Sequence, residues 1–145
     1  MKIRVIKVGR VAYPELRALA AMYAERLAPY ARVESLEVKD EAALDRLLGK
    51  PSPDHQLIAL DERGREWTSR QFASSLQSFT DDPGVKSLTF LIGGPMGLSP
   101  SWKTGAHALL SLSKATFTSD IAWLLIWEQL YRAFNILKGT GYHHD

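Results

Sequence analysis

Hydrophobic positions along this chain follow two different periods, and segments of the two kinds succeed one another from end to end. Short apolar or alternating runs, too short to be helices, predict β-strands. Segments with apolar residues three and four positions apart predict amphipathic helices between the strands. The predicted strands are Lys2–Val8, Arg32–Val38, Gln56–Leu60, Leu88–Ile92 and Ala108–Leu112. This alternation predicts a single α/β domain over residues 1–145, with a mostly parallel sheet and helices on both faces.

Local signals mark where several helices begin and end. The apolar stripe of Tyr13–Ala28 predicts the first helix. Asp40 is placed to cap a short second helix, which Gly49 would end. Thr68 and Gln71 form a capping box, which predicts the start of another helix at that point.

The last helix, predicted over residues 119–137, has an unusual first half. Its stretch Ile121–Trp127 is apolar all the way round. A helix without a polar face must be buried on every side, and one small sheet covers only one of them. The stretch therefore predicts that its second face meets another subunit, and the pair Trp123 and Trp127 favours that interface.

Composition narrows the class of protein. The chain has 46% hydrophobic and 23% charged residues, which is typical of a soluble globular domain. Without cysteine it can form neither disulfides nor cysteine-based metal sites, which suits a cytoplasmic protein. No apolar run approaches the roughly 18 residues of a membrane span, and Met1–Val5 leads straight into a strand, so we expect no membrane segment and no signal peptide. The net charge of +2 is too small to indicate nucleic acid by itself.

The clearest candidate for a ligand site follows the fourth predicted strand. After the apolar run, Gly93–Gly97 contains three glycines, which we expect to permit positive φ and close approach of a ligand. Ser99 and Pro100 then stand at the N-cap and first position of a helix. The loop has neither the GxGxxG nor the P-loop pattern. Alternatively, the loop is a tight connection between a strand and a helix and binds nothing.

Two further strand ends carry polar or permissive loops. We expect a polar turn over Asp61–Glu66, directly after Leu60, and a small-residue loop over Ser113–Thr118. Ligands of open α/β sheets bind outside the C-terminal ends of the strands. If these strands are neighbours, the three loops form one pocket. With no Lys or Arg in the glycine loop, that pocket suits an adenosine-like ligand better than a triphosphate.

Several motifs in this order resemble one known family. The segments Phe90–Pro100, Leu110–Phe117 and Glu128–Phe134 and the terminal pair Tyr142–His143 resemble the RlmH-type ribosomal RNA methyltransferases of the SPOUT class. The opening Met1–Gly9 and the Leu60–Asp61 strand end also fit, so the resemblance covers essentially the whole chain.

The resemblance implies a homodimer with a C-terminal trefoil knot that holds S-adenosyl-L-methionine. It also implies methylation of N3 of a pseudouridine in large-subunit ribosomal RNA, on assembled ribosomes. By position it implies that the cofactor is contacted by Leu60, Gly93, Gly94, Ser113, Lys114, Ala115, Thr116, Phe117 and Thr118. It places Arg132, Tyr142, His143 and His144 on the RNA side, as the candidate catalytic residues. No metal is expected, because adjacent histidines point apart and lack a third ligand.

The chain departs from the family pattern at several positions. The family continues Pro-His-x-x-x-Arg after its Thr-Phe pair, whereas here Thr118 and Ser119 replace Pro-His and Trp123 replaces the arginine. Met96 stands where the glycine loop usually has an acid. We therefore expect a histidine, a cation and a carboxylate to be missing near the pocket.

Two alternatives for the whole protein and two for individual residues stay open at the level of the sequence. The departures motivate a non-catalytic member that binds ribosomes or RNA and has lost turnover. A flavodoxin-like binder of small molecules, without the knot, is a weaker possibility. For individual residues, Arg132 can simply pair with Glu128 at i, i+4, and the Tyr142–His144 tail can be a frayed terminus.

Overall fold

The structure, a computed structural model, describes residues 1–145 as one five-stranded sheet with five helices. The strands are β1 (Lys2–Val8), β2 (Arg32–Val38), β3 (His55–Glu66), β4 (Ser87–Ile92) and β5 (Ala108–Ser111). The helices are α1 (Pro14–Leu27), α2 (Glu41–Leu48), α3 (Ser69–Asp81), α4 (Pro100–Gly105) and α5 (Ser119–Lys138). None of the helices combines the length and apolar character that crossing a membrane requires.

The sheet has the strand order β2-β1-β4-β3-β5, and every neighbouring pair is parallel. The predicted α/β fold is therefore confirmed, with a fully parallel sheet. Each residue of β4 is buried, as its continuous apolar run predicts for a central strand. The trefoil knot implied by the resemblance is compatible with this strand order and stays a prediction.

Helices cover both faces of the sheet, as predicted. The larger core lies between the sheet and α1, α3 and α5, and it includes Phe72, Phe90 and Trp127. A smaller core lies on the opposite face under α2 and α4, around Leu44 and Trp102. Because β1 alternates between the two faces, Ile3 and Val5 belong to the first core and Ile6 to the second.

The predicted helix caps are mostly confirmed. The Asp40 side chain accepts a hydrogen bond from the Ala43 backbone N–H at 2.9 Å. Thr68 and Gln71 form both bonds of the capping box. Ser99 stands at the N-cap of α4, but its hydroxyl contacts the hydroxyl of Ser101 and caps no backbone group. Ser99 therefore occupies the predicted N-cap position, but the prediction that its side chain caps the helix is wrong.

The polar turn predicted after Leu60 is wrong, because β3 continues to Glu66. The pairing of β3 with β5 shifts register after Leu60 and resumes at Arg65, which pairs with Leu110. Gly64 makes this possible: a Cβ there would lie 2.6 Å from the Leu109 backbone. A polar segment thus stays extended because a second strand supplies backbone partners, a tertiary effect that local propensity does not show.

The prediction for the apolar start of α5 is corrected in one respect. Trp123 and Trp127 are 3% and 0% exposed and pack within the chain's own core, so they do not form an outer face. The uncovered apolar surface is instead formed by Ile121, which is 39% exposed, with the half-buried Leu124 and Leu125. The helix is therefore not buried on every side within a single chain.

Candidate functional site

A cleft of about 950 Å³ opens at the C-terminal ends of β1, β4 and β5, and the segment Leu60–Glu62 in the middle of β3 also lines it. Because β4, β3 and β5 are neighbours, the two predicted loops after β4 and β5 adjoin this segment of β3 and share the cleft with it. Its size falls in the range of sites for small molecules. The cofactor candidates that line it are Leu60, Gly93, Gly94, Ser113, Ala115, Thr116, Phe117 and Thr118. Lys114 is exposed and does not line the cleft, although its neighbours do.

The glycine loop has a different geometry from the one expected. Only Gly97 takes a positive φ, of +75°, so the prediction for three glycines is wrong for Gly93 and Gly94. Gly93 is required for another reason: a Cβ there would lie 2.7 Å from the carbonyl carbon of Gly97. The loop closes through a hydrogen bond from the Gly97 N–H to the Gly94 carbonyl, at 2.9 Å.

Short polar contacts fix the loop that follows β5. The Ser113 hydroxyl accepts the Ala115 backbone N–H at 3.0 Å. The Thr116 hydroxyl donates to Glu62 on β3 at 2.8 Å, which ties this loop to the neighbouring strand. Thr118 then caps α5 by accepting the Ile121 N–H at 3.4 Å. The loop therefore presents backbone groups and small side chains in a fixed arrangement, with Phe117 partly exposed beside them.

The floor of the cleft at β3 is acidic. Asp61 forms an ion pair with Lys103 of α4, with Oδ2 and Nζ 3.2 Å apart. Burial of the Asp61 carboxyl opposes ionisation, but the Arg63 backbone N–H and the Lys103 ammonium hold the pKa of Asp61 below its ordinary value. Asp61 is thus ionised at neutral pH and offers negative charge to a cationic or hydroxyl-bearing ligand.

Sequence reasoning missed a buried ion pair in the wall of the cleft. Lys7 of β1 is 2% exposed, and its Nζ lies 3.2 Å from Asp120 Oδ1. The other oxygen of Asp120 accepts the Ala12 backbone N–H at 2.9 Å. The expectation that cation and carboxylate are missing near the pocket is therefore wrong. A signal existed: in the alternation of β1, Lys7 falls on the same inward face as Ile3 and Val5.

The predicted RNA-side residues form a separate cluster around Glu128. Arg132 binds Glu128 Oε1 through Nη2 at 2.6 Å and Nε at 3.0 Å. The Tyr142 hydroxyl donates to the same oxygen at 3.2 Å, and Arg132 Nη1 lies 3.1 Å from His143 Nδ1. The i, i+4 pairing considered for Arg132 is therefore present, and hydrogen bonding to Glu128 raises the pKa of Arg132.

Within one chain this Glu128 cluster lies apart from the cleft. Asp120 lines the cleft at the start of α5, and Arg132 follows about 18 Å further along the helix at 1.5 Å per residue. The tail is ordered in part, because the ring of Tyr142 packs on Tyr131 with centroids 4.8 Å apart. His144 is exposed. No three His, Asp or Glu side chains come together as a metal site.

We expect Tyr142 to ionise at a higher pH than an ordinary tyrosine in the folded protein. Burial, followed by the charge of Glu128, raises the pKa of Tyr142 to about 12 from 10.0. Its protonated form therefore adds stability fully below pH 10, and that contribution is lost as the pH rises through 12. Phenolate absorbance should show a late phase that Tyr142→Phe removes and that Tyr13→Phe, at an exposed tyrosine, leaves in place. A wild-type titration without a late phase would contradict this.

The residues of the cleft fit S-adenosylmethionine. Apolar side chains from β3, the end of β4 and the loop after β5, among them Leu60, Ile92 and Leu112, provide a surface for a flat base. The carboxylates of Asp61 and Glu62 match hydroxyl groups and an ammonium. The lining thus combines an apolar surface for the base with carboxylates whose chemistry suits the hydroxyl and ammonium groups of the cofactor.

Comparison with known proteins adds independent findings. The family model described as "Predicted SPOUT methyltransferase" matches residues 1–143. The chain is 36% identical over 154 aligned residues to a protein of Maridesulfovibrio salexigens called ribosomal RNA large subunit methyltransferase H, covering 99% of this chain and 98% of that protein. A protein of the same name from Natranaerobius thermophilus is 38% identical, covering 99% of this chain and 100% of the relative.

Solved structures support the fold alone. A probable methyltransferase from Bordetella pertussis superposes with a TM-score of 0.61 at 13% identity, covering 90% of this chain and 93% of that one. A probable methylase family protein from Haemophilus influenzae gives 0.59 at 12% identity, covering 99% of this chain and 70% of that one. With the family match, these findings remove the flavodoxin-like alternative.

Proposed function

This chain belongs to the SPOUT methyltransferase family, and on that premise we propose that it methylates large-subunit ribosomal RNA with S-adenosylmethionine. The observation that carries the proposal is the cleft, in which the loops after β4 and β5 and the adjacent segment of β3 combine backbone groups, small side chains and carboxylates. The names of the full-length relatives support the choice of substrate. We take N3 of a pseudouridine as the target atom from the resemblance of the motifs.

When bound, S-adenosylmethionine supplies a methyl group on a positively charged sulfur. The loops Gly93–Gly97 and Ser113–Thr118 would hold the adenosine portion, mainly through backbone groups and small side chains. Asp61 and Glu62 would meet hydroxyl or ammonium groups. The chain's contribution to the rate is then largely positional, because holding two reactants in line removes most of their translational and rotational freedom beforehand. Such a mechanism tolerates the replacement of the family histidine by Ser119.

We propose that two chains assemble so that the Glu128 cluster of one approaches the cleft of the other. Within one chain, Arg132 is too far along α5 to reach a ligand in the same cleft, and Tyr142 and His143, in the tail after the helix, contact Glu128 and Arg132 at that same distance. The uncovered apolar surface of Ile121, Leu124 and Leu125 lies beside the cleft, at the start of the same helix, and needs a cover. A two-fold contact there would cover it in both copies.

We expect Ile121→Glu to convert the dimer to a folded monomer, because a charge would be buried in the two-fold contact. Leu47→Glu is the matched control. Leu47 is also an exposed aliphatic residue, but it lies on α2, on the opposite face of the sheet. Light scattering at micromolar concentration gives the mass, and circular dichroism checks the fold. A wild-type monomer, or a dimer that survives Ile121→Glu, would contradict the proposed contact.

The decisive test of the function uses ribosomes from a strain that lacks this protein. We expect the purified protein to transfer labelled methyl groups from S-adenosylmethionine to these undermethylated ribosomes, and chromatography of digested RNA should identify the methylated pseudouridine. From ribosomes as the proposed substrate, we infer that the protein acts in the cytoplasm. Methylation of a different base would overturn the target atom while leaving the enzyme class intact.

One observation favours a second candidate, a member that binds ribosomes without turnover. Trp123, which replaces the family arginine, is buried in the core and cannot contact a substrate. Ser119 supplies no titratable group in place of the histidine. Under this candidate, the protein would co-sediment with undermethylated ribosomes and bind the cofactor, yet transfer no label.

A further inference from the structure

We propose that Lys7, held by Asp120, is a catalytic residue that donates a hydrogen bond to a carbonyl oxygen of the target base and stabilises its deprotonated imide. This deepens the proposed function and rests on it for the identity of the base. Lys7 would thereby supply the positive charge that the family pattern leads one to expect elsewhere and that Ser119 and Trp123 do not provide.

The first argument is position. The loops after β4 and β5 and the segment Leu60–Glu62 of β3 occupy one side of the cleft, and these are the parts assigned to the cofactor. Lys7, Gly9, Arg10 and Tyr13 line the other side, at the end of β1. A cofactor seated against these three segments leaves the β1 side for the group that receives the methyl. Tyr13, 60% exposed at the rim, offers a ring on which a base can stack.

The second argument is the number of hydrogen-bond donors. An ammonium has three N–H donors. Lys7 Nζ uses them toward Asp120 Oδ1 at 3.2 Å and the Val8 carbonyl at 3.3 Å, and the third has no partner in the protein. Gly9, with φ of +91°, has no side chain, and even a Cβ there would lie 3.7 Å from Nζ. Lys7 is 2% exposed but is among the residues that line the cleft, so no side chain of residue 9 separates its ammonium from a ligand there.

The third argument is the anchoring of the charge. Asp120 holds Lys7 through one oxygen and the Ala12 N–H through the other, so it fixes the ammonium relative to the β1 loop and the start of α5. A fixed, largely dehydrated charge stabilises developing negative charge better than a mobile one in water. The other charged groups of the cleft are Arg10 on the β1 loop, Asp61 and Glu62 on β3, and Lys103 on α4.

The reaction develops negative charge at the carbonyl oxygens of the base, which is where the Lys7 ammonium would bind. A uracil-type base can be methylated at N3 once the imide proton is lost, and the resulting negative charge spreads onto the flanking carbonyl oxygens. As the N3–C bond forms and the S–C bond of the sulfonium breaks, the imide proton leaves to water and Lys7 keeps its own. Lys7 thus lowers the cost of ionising the base without acting as the proton acceptor.

The test follows ionisation of a base analogue and needs no methyl transfer. The probe is 5-fluorouridine, added to protein saturated with S-adenosylhomocysteine, with fluorine NMR as the readout across a pH series. We expect the wild type to lower the ionisation midpoint of the bound nucleoside by about one pH unit or more. Lys7→Met should return it to the value of the free nucleoside. Lys86→Met, at an exposed lysine paired with Asp54, is the matched control and should behave as wild type.

A double variant guards against misfolding. Lys7→Met alone leaves the buried Asp120 without its partner, whereas Lys7→Met with Asp120→Asn removes both charges and keeps an acceptor for the Ala12 N–H. If the pair is only structural, this double variant restores the wild-type midpoint; if Lys7 acts on the base, it does not. Equal midpoints for wild type and Lys7→Met, or no binding of 5-fluorouridine by the wild type, would overturn the proposal.

Two further measurements distinguish this proposal from a role of Lys7 in cofactor binding and from the proposed function itself. Cofactor affinity should be unchanged by Lys7→Met, and a tenfold loss would mean that Lys7 holds the cofactor carboxylate instead, which would also overturn the proposal. Absence of labelled methyl transfer to ribosomes by the wild type would refute the proposed function. A lowered midpoint that depends on Lys7 would still establish the base site in that case.

Discussion

Gly94→Val will leave the protein folded and lower its affinity for S-adenosylmethionine by about 100-fold or more, equivalent to about 2.7 kcal/mol. A Cβ at Gly94 would meet only the Val8 carbonyl oxygen, at the ordinary contact distance of 3.5 Å. The chain itself therefore accepts a side chain at this position. A branched side chain would nevertheless project from the glycine loop that lines the cleft and exclude the cofactor from it.

Gly93→Ala is the matched comparison, because the two neighbouring glycines differ in what surrounds them. A Cβ at Gly93 would lie 2.7 Å from the Gly97 carbonyl carbon and 2.8 Å from the Leu98 nitrogen, both of them backbone atoms. This variant should lose stability as well as affinity, since the loop must open to admit the methyl group. Calorimetry gives the affinity and thermal unfolding the stability. Wild-type affinity in a folded Gly94→Val protein would remove the glycine loop from the cofactor site.

Arg132→Ala will lower methyl transfer to ribosomes by about 100-fold while leaving cofactor affinity unchanged. Arg132 lies outside the cleft of its own chain, so its loss does not touch the cofactor loops. Its guanidinium stacks over the Tyr142 ring, 4.9 Å from the centroid, and contacts His143, so it also organises the tail. Deleting residues 142–145 should have a similar effect, because it removes part of the same cluster that we propose to lie on the RNA side.

Glu128→Gln distinguishes an RNA-binding arginine from a structural one. If Arg132 serves only to pair with Glu128, removing either partner should have the same consequence. If Arg132 binds RNA, Glu128→Gln keeps the cation and should retain much of the transfer. The wild-type reaction should also weaken with added salt more steeply than that of Arg132→Ala, because a phosphate contact releases counterions. Equal transfer rates for wild type, Arg132→Ala and the truncated protein would refute the role of this cluster.

Signals confined to a few neighbouring residues predicted much of the fold. The capping box of Thr68 and Gln71 and the cap at Asp40 depend on side chains three residues from the groups they bind, so sequence spacing is sufficient to find them. The apolar run at Leu88–Ile92 predicted a strand buried on both faces because no other position satisfies so many adjacent apolar side chains. The same strand end located the glycine loop at the cleft.

Contacts between distant segments decided the rest. The extension of β3 to Glu66 depends on backbone partners in β5, and Gly64 matters only because Leu109 lies against it. Trp123 and Trp127 have the composition of an interface but face inward, since the rotation of α5 is set by its packing on α1 and α3. Lys7 and Asp120 illustrate the limit most clearly. Each is an ordinary charged residue in the sequence, and the two meet only when α5 folds over the end of β1. They are buried as a pair, because burying either charge without the other would be costly.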